Sequence, residues 1–230
     1  MTNFFSIAPM MGKTDEYFCY LIKLINKDIM VYTEMMHAEA ILRTRILDNY
    51  DFIKDKSNIA VQIAGNNPIT LSEASKEIKK KGFEEININC GCPSPRVVSG
   101  SFGISLLLEP DLVKRCVLKI QKNFNNTISI KTRIGIENYN DNEKLLNNFL
   151  KILSNVGIKK FIIHARNAII GKLQAKDNLK IPTLDYDRVI RLKKRFNHEQ
   201  IIINGGFKNI NSRSNYAYKL DGIMIGRKAY

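Results

Sequence analysis

The run Glu85-Ile86-Asn87-Ile88-Asn89-Cys90-Gly91-Cys92-Pro93-Ser94 joins a strand-like alternation to a thiol–proline turn. Asn87 and Asn89 stand at alternate positions where a buried strand would carry Val or Ile. Cys92 follows a glycine and precedes a proline, so it reads as a loop residue at a strand end. A thiol in that setting can act as a nucleophile or as a proton donor. Cys90 falls on the opposite face of the strand and reads as packing. Cys19 and Cys116 lie within amphipathic helical patterns and read as small core residues. A C-x-C pair could open a metal site, but no second ligand pair follows it in the sequence, and no metal is expected.

Other polar groups recur along the chain in the same relation to apolar runs. Asn204-Gly205-Gly206 and Gly226-Arg227 each follow such a run. Glycine lets backbone N–H groups approach an anion, and Arg227 adds a charged fork, so a phosphate is the natural guest. The bland alternative is that these glycines merely permit tight turns. Gln62, Lys131 and His164 supply an amide, a cation and an imidazole on or beside three further runs. Taken singly, Lys131 reads more readily as a structural ion-pair partner and His164 as a satisfied core histidine. Together they suit a flavin, whose pyrimidine edge needs donors and whose reduced ring gathers negative charge.

Groups so far apart in sequence must be brought together by the fold. Strand-like runs at 5–8, 29–33, 60–63, 85–89, 128–132, 161–164, 201–204 and 222–225 alternate with helical patterns. The clearest helices cover 16–25, 71–80, 111–123, 142–155 and 186–195. Pro110 and Gly82 are the expected start and stop signals. Strands joined mostly by helices indicate an α/β protein of parallel strands, and polar residues at so many strand ends favour a (β/α)8 TIM barrel over an open doubly wound sheet. The whole of 1–230 reads as one barrel domain, with no low-complexity linker or repeat.

Bulk properties narrow the partners. Of 230 residues, 36 are Lys or Arg and 22 are Asp or Glu, which leaves a net charge of +14. Such a balance favours polyanions, although a chain so rich in Lys, Ile and Asn owes part of it to composition. No apolar run is long enough to span a membrane, and the N-terminus lacks the basic and apolar regions of a signal peptide. A cytoplasmic protein is expected, and four cysteines in a chain this long do not make a disulfide framework.

The segments Ala8-Pro9-Met10, Tyr32-Thr33-Glu34-Met35, Val61-Gln62, Ile88 to Ser94 with Arg96-Val97, Gly100-x-Phe102-Gly103 and Lys131 to Ile136 form a recognisable series. It continues through Phe161 to Arg166, Ile181-Pro182-x-Leu184-Asp185-Tyr186, Ile203 to Gly206 and Asp221 to Tyr230. With these the chain resembles the tRNA-dihydrouridine synthases, most closely the A-type, (20/20a)-modifying branch. The resemblance implies an FMN-binding barrel that reduces the C5=C6 bond of selected tRNA uridines, with NADPH as electron source. It implies that Pro9, Met10, Gln62, Lys131, His164, Asn204, Gly205, Gly206, Gly226 and Arg227 line the FMN. It makes Cys92 the proton donor and places Asn89, Arg166 and Lys176 against the tRNA; a monomer is expected. Three departures accompany it. The last barrel helix and a C-terminal helical domain would follow Tyr230, Leu179 stands where the A-type loop has Arg, and Ile104-Ser105-Leu106 replaces Ala-Cys-Leu. Two other readings stand beside it: a remnant that keeps flavin or RNA binding, for which the missing tail speaks, and a small-molecule flavin dehydrogenase of the dihydropyrimidine or dihydroorotate kind, against which the net charge and the Cys92 segment speak.

Overall fold

Eight parallel strands close into a ring. The structure is a computed structural model and describes residues 4–171, 177–208 and 219–230. The strands are β1 (Phe4–Ile7), β2 (Met30–Tyr32), β4 (Ile59–Ala64), β5 (Glu85–Cys90), β6 (Thr127–Ile136), β7 (Lys160–Ala168), β8 (Gln200–Asn204) and β9 (Gly222–Ile225). Their order is β2-β1-β9-β8-β7-β6-β5-β4, and pairing of β2 with β4 closes the barrel. An open sheet is thereby excluded. A two-residue strand, β3 (Met36–His37), pairs with the far end of β4.

Local chemistry sets the helices that cover the ring. α1 (Glu16–Ile25) starts where the Asp15 carboxylate accepts the Phe18 N–H. α3 (Pro68–Lys80) begins before its apolar pattern does, because Asn67 caps it and Pro68 fills the first turn, where no N–H is needed. α5 (Pro110–Gln121) also opens on proline. Asp141 caps α6 (Asn142–Ser154), and Asp185 caps α7 (Tyr186–Arg195). Two short helices, α2 (Ala38–Arg43) and α4 (Pro95–Ser99), lie in connections that the periodicity did not mark as helical. Among the described residues, β9 is followed by 226–230 without a further helix, and no helix is long and apolar enough to cross a membrane.

Strand alternation divides the interior in two. Outward residues such as Ile86, Ile88, Cys90, Ile130 and Ile163 pack under the helices as the main core. A smaller apolar cluster of Ala8, Met30, Tyr32, Ala60, Ile162, Ile202 and Met224 forms a separate core. Its members share the strand faces that carry Gln62, Asn87, Ser129, Lys131 and Lys160, by the two-residue period of a strand. Asn87, Ser129 and Gln62 are at most 1% exposed, so each must find a partner inside.

Two strands overrun the sequence expectation. Lys131-Thr132-Arg133 and His164-Ala165-Arg166 are not strand ends, because β6 continues to Ile136 and β7 to Ala168. β7 pairs with β8 only as far as His164 opposite Asn204. Beyond that point β6 and β7 run on together as a ribbon, after a register irregularity between Arg133 and Gly135. Two asparagines close the ribbon. Asn142 donates to the carbonyl of Ile136 and accepts its N–H, both at 2.7 Å, and Asn178 does the same for Ile169 at 2.9 and 2.7 Å.

Candidate active site

Cys92 stands just beyond β5, on a loop held from three sides. The Asn89 side-chain oxygen accepts the N–H groups of Gly91 and Cys92 at 3.1 and 2.9 Å. The Cys92 carbonyl accepts the Ile104 N–H at 3.0 Å. Arg133 donates through Nε to the Gly91 carbonyl at 3.1 Å. Gly103 makes the close return possible. Its φ is +62°, and a Cβ there would lie 2.6 Å from the Cys92 carbonyl oxygen. The Cys92 thiol keeps partial solvent contact, with Ser94 Oγ at 3.5 Å. The other three cysteines are buried. Burial pushes the Cys116 thiol up to about 11 and raises Cys19 and Cys90 further, so none of them is reactive.

A cluster of cations faces this loop across the mouth. Lys131 pairs with Asn89 in the β5–β6 register, and Arg133 pairs with His164 in the β6–β7 register. Lys131 Nζ donates to Asn204 Oδ1 at 3.2 Å, and the Asn204 amide donates to the Met224 carbonyl at 2.9 Å. Desolvation, then the Arg133 charge, pull the Lys131 ammonium down to about 7. Lys131 is only half-buried, and water at the mouth offsets part of that cost. Burial, with Arg133, Lys131, Arg166 and Arg227 nearby, holds His164 well below 6.5. Desolvation lowers even the Arg133 guanidinium, to about 10. Among the described residues, no carboxylate is one of the charged groups acting on Lys131, Arg133 or His164. Arg133, Lys131, Arg166 and Arg227 together make this end of the barrel electropositive.

The glycine pair after β8 shapes the adjoining wall. Gly205 has φ +121°, and a Cβ on it would come within 2.8 Å of His164 Cδ2 and 2.9 Å of Leu184 Cδ2. Tyr186 donates its hydroxyl to the Gly205 carbonyl at 2.7 Å and fixes the turn. Gly226 and the exposed Arg227 follow β9, and His164 feels the Arg227 charge. Pro9 and Met10, half-buried, continue β1, with the Met10 N–H on Thr14 Oγ1 at 2.9 Å.

Most of the residues singled out in the sequence thus follow or occupy the C-terminal ends of the strands. Gln62 is used internally: its Nε2 donates to Asn87 at 2.7 Å and its Oε1 accepts from Asn89 at 2.9 Å. Arg166 pins the loop before α7 by donating to the Pro182 and Lys180 carbonyls, a structural task not foreseen for it. Lys176 lies outside the described residues. The sequence reading passed over Arg133, although its place two residues after Lys131 sets both on one strand face. It also missed the ion pair of Glu85 with Lys160, at 2.7 Å and almost wholly buried. A cavity of about 650 Å³ lined by Glu84, Phe124, Thr127, Ile158 and Lys160 lies at the opposite end of the strands, away from the thiol.

The site fits a phosphate-bearing, electron-rich cofactor. Lys131, Arg133, Arg166 and Arg227 make it electropositive, and its wall is cut to the backbone at Gly205. Fold and site together define a parallel barrel with a ligand-binding mouth. Morphinone reductase shares the fold, with a TM-score of 0.65 at 10% identity over 96% of this chain and 81% of that one. A variant of that reductase in complex with tetrahydroNAD gives 0.69 at 9% identity, over 97% and 82%. Residues 6–230 match the family Dihydrouridine synthase (Dus). The chain belongs to the dihydrouridine synthase family, which comprises flavin-dependent oxidoreductases. It is 39% identical over 226 residues to a tRNA-dihydrouridine(20/20a) synthase of Shewanella oneidensis, covering 98% of this chain and 67% of that protein. The enzyme of the same description from Vibrio vulnificus is 40% identical over 226 residues, with 98% and 69% covered. That from Synechocystis is 39% identical over 231 residues, with 99% and 68% covered.

Proposed function

We propose that the chain reduces a uridine in the D-loop of tRNA to 5,6-dihydrouridine, with FMN as bound cofactor and NADPH as the electron source. The observation that carries this reading is the placing, at one barrel mouth, of a partly exposed thiol beside basic groups: Arg133 bonds the Gly91 carbonyl of its loop, and Lys131 stands opposite Asn89. Lys131, His164, Gly205, Gly206, Gly226 and Arg227 would hold the cofactor, with Asn204 fixing Lys131. Bound there, FMN would supply a hydride to C6 of the base. Cys92 supplies the proton that C5 must gain, and its thiol takes a proton back from solvent afterwards. The step calls for a protonated thiol, and Ser94 Oγ lies 3.5 Å from the sulfur.

The base has to leave the RNA stack to reach a barrel mouth, at a cost of a few kcal/mol. Contacts of basic side chains with the RNA backbone offset that cost, and the net charge of +14 supports them. Arg166 and Lys176 belong to this reading as contacts to tRNA, and Asn89 as a contact to the base. The test is the dihydrouridine content of tRNA in a strain lacking its own enzyme. Expression of this chain restores the modified base, and Cys92→Ala does not. Well-folded chain that binds FMN yet leaves tRNA uracil unreduced with NADPH present overturns the proposal.

A further inference from the structure

A continuous column of hydrogen bonds runs from a buried ion pair to the thiol loop. Lys160 Nζ meets Glu85 Oε2 at 2.7 Å. Glu85 Oε1 accepts the hydroxyls of Ser129 at 2.6 Å and Tyr32 at 3.0 Å. Ser129 Oγ accepts from Asn87 Nδ2 at 2.9 Å, and Asn87 Oδ1 accepts from Gln62 Nε2 at 2.7 Å. Gln62 Oε1 accepts from Asn89 Nδ2 at 2.9 Å, and Asn89 Oδ1 accepts the Gly91 and Cys92 N–H groups. The residues of this column on the strands are at most 8% exposed.

The direction of every bond is dictated from both ends. A salt-bridged carboxylate only accepts, so the single Ser129 hydrogen goes to Glu85. Ser129 oxygen must then accept, and Asn87 has to turn its nitrogen toward it. That aims the Asn87 oxygen at Gln62, which fixes the Gln62 amide, and this in turn fixes Asn89. At the top, backbone N–H groups only donate, so they demand the same Asn89 orientation. Flipping one amide opposes donor to donor or acceptor to acceptor in a buried site, which is costly there.

We propose that Glu85, Ser129 and Asn87 are positioning residues: the buried ion pair sets the amide orientation of Asn89 through this column, and thereby the placement of Cys92. The consequence for uridine reduction rests on the reading of Cys92 as proton donor, whereas the consequence for loop placement does not.

The experiment compares Ser129→Ala and Asn87→Leu with the unmutated chain. Ser6→Ala is the control, because Ser6 Oγ is also buried but has no partner in the structure. The readouts are hydrogen exchange at the Gly91 and Cys92 N–H groups and the rate of alkylation by iodoacetamide, which reaches Cys92 while the other thiols are buried. Both column variants should change exchange and alkylation about fivefold or more, the equivalent of one ordinary hydrogen bond. Ser6→Ala should leave both unchanged. Wild-type exchange and alkylation in a folded column variant overturns the proposal, as does an equal effect of Ser6→Ala. Should neither column variant fold, the side-chain amides of Gln62, Asn87 and Asn89 in the unmutated chain decide. Slow exchange supports the column, and rapid exchange refutes it. A chain that shows this pattern but reduces no uridine keeps the proposal and loses only the assignment of the acid.

Discussion

The side-chain oxygen of Asn89 accepts the backbone N–H of Cys92 at 2.9 Å. The thiol is thus tethered to a barrel strand and not left to the freedom of its loop. Arg133 on the neighbouring strand pulls on the same loop through the Gly91 carbonyl. A reactive group held by rigid elements keeps its geometry through turnover.

Removing the thiol should abolish chemistry and spare the fold. Cys92 is partly exposed and its sulfur makes one long contact, to Ser94. Cys92→Ala should unfold within about 0.5 kcal/mol of the parent chain. Product formation should fall by about a hundredfold or more, the usual worth of a positioned acid. Urea unfolding and mass spectrometry of digested tRNA measure the two effects. Comparable losses in both would contradict this assignment.

Gly205→Ala should damage the cofactor wall. The positive φ and the contact at 2.8 Å to His164 act together there. A loss of about 1–3 kcal/mol is expected, with FMN retention on gel filtration greatly reduced. Full retention of flavin by this variant would remove the pair after β8 from the site.

The cation cluster predicts a pH dependence for the chain without bound anion. Lys131 in the fold titrates near 7, below its ordinary 10.5. Between those values the unfolded chain holds a proton that the folded chain has lost. Stability from this group therefore rises with pH across that window and falls away as pH drops toward 7. His164, lowered from 6.5, extends the same trend below that pH, where the unfolded chain gains a proton first. Unfolding free energies from urea titrations between pH 7 and about 8.5 should climb by less than about 1.4 kcal/mol per pH unit. Lys131→Met should flatten the slope in that range. A flat or falling profile in the parent chain would count against desolvation of the Lys131 ammonium.

Breaking the ion pair from one side should be worse than removing it. Lys160→Met leaves the Glu85 carboxylate buried without its counter-charge and should cost about 3–5 kcal/mol. The double variant Glu85→Gln with Lys160→Met should recover a large part of that loss. Denaturant titration of the three proteins decides; additive losses would refute the coupling.

Arg133→Lys should loosen the β6–β7 ribbon. One guanidinium donates to the carbonyls of Gly91, Asn167 and Asn178, a fork that an ammonium cannot reproduce. Proteolysis of the folded chain should begin near Asn167, and stability should fall by about 1–3 kcal/mol. An unchanged cleavage pattern would show that the clamp is dispensable.

Much of this molecule was legible residue by residue. The strand alternation of Glu85 to Cys90 already put Cys90 in the core and the two asparagines on the other face, which the burial of Cys90 bears out. Caps such as Asp141 and Asp185 and prolines such as Pro110 mark helix starts by chemistry that acts within a few residues. The extended ends of β6 and β7 were not legible. What holds them is Asn142, Asn178 and an irregular register, and none of these follows from strand periodicity.

The amino-acid order alone determined which stretches are strands, where helices begin, and that polar groups gather at strand ends as they do in a (β/α)8 barrel. Ring closure decided the rest. Glu85 and Lys160 are 75 residues apart, and Lys131 and Asn204 are 73 apart. Each pair meets only because parallel strands face one another across a closed barrel. The orientation of three side-chain amides depends in turn on that meeting. Hydrogen-bond direction inside a dry interior is a property of the whole network, and no single segment carries it.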